Sequence, residues 1–162
     1  MVVADNTKQT ARLYALLSNV VDPEIPVLTL QDLGVLRDIT VEDDGIKVTI
    51  TPTYAGCPAL ETMRADIETT LAQAGFRNVT VKQSLSPAWT TDWMSEAGRK
   101  KLFEYGIAPP AATACGRETG PAACPQCGST DTQLVSEFGS TACKALHQCQ
   151  DCREPFDYFK CI

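Results

Sequence analysis

The last quarter of the chain carries Cys124-Pro-Gln-Cys127-Gly128 and, 21 residues further on, Cys149-Gln-Asp-Cys152. Two C-x-x-C pairs give four thiolates on two tight knuckles. A short hairpin can set the knuckles face to face and make a tetrahedral four-cysteine metal site. The pattern constrains the fold because so short a segment has too little core to fold without a staple. Each pair can present two sulfurs about 2.3 Å from one zinc ion, and Gly128 suits the turn after the first pair. Four thiolates leave no open position for a substrate, which favours a structural metal. An iron–sulfur cluster takes the same four ligands, and spacing alone does not choose between zinc and cluster.

The remaining length, about 120 residues, suits one ordinary domain. Eight cysteines in 162 residues would suit disulfides in a secreted protein, but the mostly polar stretch from Met1 to Thr10 has no apolar signal core. The cysteine pairs therefore read as metal ligands in a reducing cytoplasm. No stretch approaches the roughly 18 apolar residues of a membrane span. Residues 1–106 carry 10 Lys/Arg against 14 Asp/Glu, and residues 107–162 carry 4 against 6. Neither part has a basic patch to meet phosphates, which argues against nucleic acid as a partner.

Leu13, Leu16, Leu17, Val20 and Val21 share a helical face and predict a helix over 7–21, stopped by Asp22-Pro23. A loop to Gly34 follows. Val35 to Val41 predicts a first strand. Ile46, Val48 and Ile50 alternate with polar residues in a second, with Asp43-Asp44-Gly45 as the turn. After Cys57-Pro58, the residues Leu60, Met63, Ile67 and Leu71 return to helical spacing, with Gly75 as the stop. Asn78 to Leu85 predicts a third strand, parallel to the second through a right-handed crossover. Ser95 caps a last helix that Gly106 ends. The expected fold is α+β: a small three-stranded sheet with packed helices over 1–106, a linker over 107–123, and a zinc-ribbon-like module over 124–162.

Four further features could carry chemistry. Cys57 sits at the mouth of a predicted helix, where the positive end of the helix dipole lowers a thiol pKa and favours a thiolate nucleophile or ligand; an inert cap-region cysteine is the competing reading. A Cys–His pair would need His147, the only histidine, from the other module, which weakens a thiol-hydrolase reading. Asp22 and Glu24 lie in a loop expected near the same end of the sheet, although Asp-Pro-Glu is more often turn chemistry. Cys143 and Cys161 flank the second knuckle and read as core thiols or alternative ligands, with core favoured. Cys115 has no partner pattern.

Asp22-Pro-Glu24-Ile-Pro, Asp32-Leu-Gly-Val, Thr51-Pro-Thr53 and Gly56-Cys57-Pro58 together resemble the metal–sulfur cluster biosynthetic domain family, over roughly residues 7–85. Trp89-Thr-Thr-Asp-Trp93, Tyr105-Gly-Ile-Ala-Pro-Pro110 and Ser136-Glu-Phe-Gly-Ser-Thr-Ala-Cys143 narrow the resemblance to the PaaD-like subunits of phenylacetyl-CoA epoxidase systems. That resemblance implies an accessory protein, not a catalyst by itself, that helps iron or iron–sulfur maturation of the epoxidase. It places metal handling at Cys57 with Asp22, Glu24, Thr51 and Thr53, and the ribbon metal at Cys124, Cys127, Cys149 and Cys152. It implies the oxygenase or reductase subunits as clients. One thiolate holds no cluster alone, so a homodimer, the client or a second carrier must supply the other ligands. A zinc-stabilised structural adaptor is the rival reading. Trp89, Trp93 and Phe138 are candidate anchors for a partner, with burial favoured for Trp89 and Phe138.

Overall fold

The computed structural model describes residues 2–110 and 122–162, with side chains from residue 7 onward. The chain divides into two compact units, one ending at Trp89 and the other starting at Thr90.

The first unit holds α1 (Val2–Leu17), β1 (Leu36–Glu42), β2 (Gly45–Ile50), α2 (Leu60–Gln73) and β3 (Val79–Gln83). The strands lie in the order β1-β2-β3, the first pair antiparallel and the second parallel, as the crossover through α2 requires. Alternation in β2 sends Ile46, Val48 and Ile50 inward. They meet α2 residues Met63, Ile67 and Leu71 and α1 residues Leu13 and Leu17 in one core, every member at most 4% exposed. At the end of α2, Gly75 takes φ +89°, which lets its N–H reach Ala72 O (3.0 Å) and the Phe76 N–H reach Leu71 O (3.0 Å). This paired closure satisfies carbonyls the helix would leave orphaned.

Helix α1 stops at Leu17, four residues short of the predicted end. The Ser18 hydroxyl turns back onto Ala15 O (2.7 Å). Val20 to Asp22 are then drawn into extended pairing: Leu30 N–H donates to Val20 O and Asp22 N–H to Leu28 O, each at 2.9 Å. Helical periodicity continued through Val21, but tertiary pairing overrode it.

The second unit starts earlier than the predicted boundary at residue 106. It contains α3 (Glu96–Glu104), β4 (Ile107–Ala108), β5 (Thr132–Ser136), β6 (Lys144–Cys149) and β7 (Pro155–Phe159). Its sheet has the order β4-β7-β6-β5, with β4 parallel to β7 and the rest antiparallel. Ser95 caps α3 as expected, its hydroxyl accepting from Gly98 N–H at 2.9 Å. Ile107 and Ala108, expected in a linker, form β4 because Asp157 and Tyr158 offer them a free strand edge. Arg99 ties α3 to this unit by donating to Thr91 O and Pro110 O, both at 2.7 Å. The rest of the expected linker, with Cys115, falls mostly outside the described residues.

Candidate functional site

Among the described residues the two candidate sulfur sites, the four-cysteine group and Cys57, lie one in each unit. In the second unit the knuckle loops repeat one geometry. The Cys124 N–H donates to Ser129 O (2.8 Å) and the Cys149 N–H to Glu154 O (3.0 Å), five residues ahead in each case. The residue after each pair, Gly128 or Arg153, is left-handed at φ +77° and +67°. The sequence therefore closes two equivalent turns, and β5–β6 pairing brings them together.

The result is one sulfur group. The Sγ atoms of Cys124, Cys127, Cys149 and Cys152 all lie within 4.8 Å of one another. Across the knuckles, Cys127 faces Cys149 at 3.5 Å and Cys124 faces Cys152 at 3.7 Å. Ligands about 2.3 Å from a single tetrahedral ion are about 3.8 Å apart, so the donor set and its spacing fit one metal ion. Cys124 and Cys149 are fully buried beside Ala108 and Phe156, while Cys127 is exposed. The Cys149 thiol is lowered to about 7, chiefly by the Cys152 backbone N–H, with help from the Asp151 N–H. Cys152 goes the other way, to about 12: the Glu154 N–H pulls it down, but burial and the three neighbouring sulfurs outweigh that.

Neither His147 nor the two flanking cysteines joins this set. His147 packs between Phe156 and Tyr158, at ring separations of 5.8 and 5.2 Å, and burial lowers its pKa. Cys143 is buried and lies 3.1 Å from the Thr141 hydroxyl, a core position as favoured. Cys161 departs from both expectations: it is disulfide-bonded, and its sulfur accepts from the Thr91 hydroxyl at 3.6 Å.

In the first unit, Cys57 sits one turn ahead of α2. The helix has no side-chain cap. Cys57 supplies its opening instead, accepting the Leu60 N–H on its carbonyl (3.2 Å) and the Ala59 N–H on its sulfur. The helix-end argument predicted a lowered thiol, and the structure reverses it. Cys57 is only 7% exposed. Burial pushes the thiol up; the Ala59 N–H and the Tyr54 hydroxyl pull it down; the Glu24 and Asp22 carboxylates push it up again. The net shift is upward, so the sulfur rests as a thiol at neutral pH.

The acidic loop does reach the same place. Asp22 is buried, and its Oδ1 accepts from the N–H groups of Glu24 (2.7 Å) and Ile25 (2.8 Å). This turn anchors Ile25 in the core and leaves Glu24 half-buried, with the larger effect of the two on Cys57. Thr29 and Asp32 lock the rest of the loop by exchanging bonds, Asp32 N–H to Thr29 Oγ1 (3.0 Å) and Thr29 N–H to Asp32 Oδ2 (3.1 Å). Thr51 is buried and donates its N–H to Val35 O (2.9 Å), and Thr53 is half-buried. Sequence reasoning passed over Tyr54. Its signal was a hydroxyl three residues before Cys57 in a Gly-containing turn, where a side chain can fold back on the thiol.

Of the candidate anchors, Trp89 is core, its indole N–H donating to Leu33 O at 2.9 Å, and Trp93 is half-buried. Phe138, expected in the core, is 67% exposed. Among the described residues no helix is long and apolar enough to cross a membrane.

Comparison with known proteins matches both units. Residues 10–82 match the family described as iron–sulfur cluster assembly protein, and residues 108–160 match the PaaD zinc beta ribbon domain. An Escherichia coli K12 protein, provisionally named as a subunit of 1,2-phenylacetyl-CoA epoxidase, is 53% identical over 95% of this chain and 94% of its own length. The chain belongs to the PaaD family. Other relatives match little more than half of this chain. A Porphyromonas gingivalis Fe-S protein maturation auxiliary factor is 35% identical over 56% of this chain and 87% of its own length. A crystal structure of a domain of unknown function, DUF59, from Bacillus anthracis superposes with a TM-score of 0.58, at 25% identity over 62% of this chain and 96% of that one. PaaD architecture is thus an iron–sulfur assembly unit joined to a metal-binding ribbon.

Proposed function

We propose that this protein is an accessory maturation factor that supplies iron or an iron–sulfur cluster to a phenylacetyl-CoA epoxidase. The observation that carries the reading is 53% identity, over nearly the whole chain, to a protein named as a subunit of that enzyme. The assembly unit adds to it, since relatives of that unit are named as Fe-S protein maturation factors. The oxygenase or reductase components of the epoxidase are the clients. The ribbon holds one zinc ion as a structural staple, which the single-ion spacing of its sulfurs supports.

Cys57 is the transient ligand in this reading, and Asp22 and Glu24 set its charge. At rest the thiol keeps its proton, because burial and two carboxylates disfavour a thiolate. An incoming cation reverses that balance. It neutralises the carboxylates and allows the proton to leave, while Tyr54 and the Ala59 N–H stabilise the thiolate that results. Cys57 then contributes one ligand, and the client or a second copy contributes the others.

A second reading is favoured by one observation, the burial of Cys57. There the protein is a zinc-stabilised adaptor and the thiol only fills core. The test is Cys57→Ser in cells making the epoxidase, with iron and acid-labile sulfide measured on the purified oxygenase and reductase. Maturation predicts underloaded clients and normal zinc on the variant. Normally loaded clients would leave the adaptor.

A further inference from the structure

Sheet edges are normally blunted by charge, shortness or cover, because unpaired N–H and C=O groups recruit other strands. Three of the four edges here follow that rule. β1 carries Arg37, Asp38 and Glu42, and β3 carries Lys82. β4 is two residues long and buried. β5 is the exception. Thr132–Ser136 contains no charged residue. Among the described residues nothing pairs with its outer side. Leu134 and Val135 are 48% and 57% exposed, and Phe138 just beyond is 67% exposed. The ladder to β6 shifts register between Leu134 and Ser136, which limits any added strand to a short one.

Phe138 is held in its exposed position. The Ser136 hydroxyl accepts from the Phe138 N–H (3.2 Å) and donates to its carbonyl (2.9 Å). Lys160 Nζ lies 4.7 Å over the ring and also donates to Glu137 O at 3.1 Å. That lysine is engaged by the ring and by a carbonyl, and among the described residues no ion pair reaches the exposed Glu137 carboxylate. A preset exposed aromatic beside an open edge is the pattern of a contact surface.

Charge selects the occupant. Exposed Asp131 and Glu137 bracket the two ends of β5. If a second copy paired antiparallel along this edge, Asp131 of each would face Glu137 of the other, and like charges set opposite are destabilising. We propose that β5 is a docking edge for an extended segment of a partner protein, apolar at alternate positions and carrying Lys or Arg at both ends. The segment adds a short strand outside β5, its apolar side chains cover Leu134, Val135 and Phe138, and its basic ends meet Asp131 and Glu137. This surface is independent of metal handling at Cys57.

The test uses the metal-loaded full chain and three synthetic peptides. One is Lys-Lys-Val-Thr-Val-Thr-Val-Lys-Lys. The second replaces its lysines with glutamates. The third keeps the lysines and places proline at the centre, where it breaks the ladder. Affinity and amide exchange are read together. The lysine peptide should bind about tenfold more tightly than the glutamate peptide, from ion pairs at two exposed ends, and should slow exchange at Thr132–Ser136. The proline peptide should not bind. Val135→Lys should weaken binding by about tenfold, with an unchanged melting midpoint showing that the ribbon is intact. Equal binding of both charged peptides, no binding, or protection elsewhere would overturn the proposal. So would protection of β5 that rises with protein concentration alone, since that makes the occupant a second copy.

Discussion

Cys57 and Cys149 are both buried, yet their thiols move in opposite directions. Cys149 is fully enclosed and is lowered to about 7, because the N–H groups of Cys152 and Asp151 point at its sulfur. Cys57 is slightly less enclosed and is raised, because burial and the carboxylates of Glu24 and Asp22 outweigh Tyr54 and one N–H. Burial alone does not decide what a cysteine does; the donors and charges turned toward it do. The knuckle turns bring N–H donors to the sulfurs of Cys127, Cys149 and Cys152, which suits a resident metal. The loop at Cys57 brings carboxylates, which suits a sulfur that stays protonated until a cation arrives. The two units also differ in how sulfur enters their packing: in the second, Ala108 and Phe156 pack with the buried sulfurs of Cys124 and Cys149 in one cluster.

Removing the metal should break this comparison most severely. Structural zinc in small modules is worth on the order of 10 kcal/mol, more than a ribbon this small can supply by packing. A chelator at neutral pH should abolish amide protection in β5–β7 and leave it in β1–β3. Retained protection in β6 after complete metal loss would mean the ribbon folds on its own core.

The ribbon's second support is smaller. Lys144 is only 5% exposed, and its ammonium lies 3.5 Å from Asp157 Oδ2, which also accepts from the Ser140 hydroxyl at 2.8 Å. Asp157→Ala leaves that ammonium buried and unpaired, at a cost of about 2–3 kcal/mol once the partial exposure of Asp157 is allowed for. Denaturant unfolding of the metal-loaded variant measures it. A loss well under 1 kcal/mol would show that Lys144 finds water or another acceptor.

At Cys57 the sign of the pH dependence is fixed by the upward shift. The folded state holds the thiol proton more tightly than the unfolded chain does. The associated stability is complete below the ordinary thiol value, about pH 8.5, and is lost as pH rises through the raised folded value. Between about pH 8 and 10, Cys57→Ala should therefore lose less stability than the parent. Glu24→Gln removes the larger carboxylate effect, so iodoacetamide should label Cys57 several-fold faster in it at pH 8. Unchanged labelling would remove Glu24 from the site.

The legible parts of this fold were those with local causes. Alternation in Ile46–Ile50, the Ser95 cap, the Gly75 stop and the two knuckle turns each depend on neighbours within a few residues, and each appears as read. The misread parts depend on distant partners. Val20–Asp22 leave the helix for Leu28–Leu30, and Ile107–Ala108 become a strand through residues 50 positions later. At Cys57 the helix-end effect was visible in sequence, but the opposing burial was not. Phe138 is aromatic and so reads as core, yet the ribbon sheet is too narrow to cover it.

The smallest effect tests the likeness of the two knuckles themselves. Gly128 and Arg153 hold the same place, one residue after the second cysteine, and both are left-handed. Glycine takes that conformation without strain, whereas an L-residue gives up roughly 1 kcal/mol or slightly more. Arg153→Gly removes the strain, although it also loses the exposed contact from the guanidinium to Gln150 Oε1 (3.2 Å) and gives the unfolded chain more freedom. The net expectation is a gain of about 0.5 kcal/mol. It should be seen as a higher midpoint for ribbon unfolding at fixed free metal, since metal binding and folding are one equilibrium here. Gly128→Arg, the reverse exchange, should cost about 1 kcal/mol or more. If both substitutions destabilise the ribbon alike, the knuckles are not equivalent, and the guanidinium contributes more at its exposed site than the backbone strain takes away.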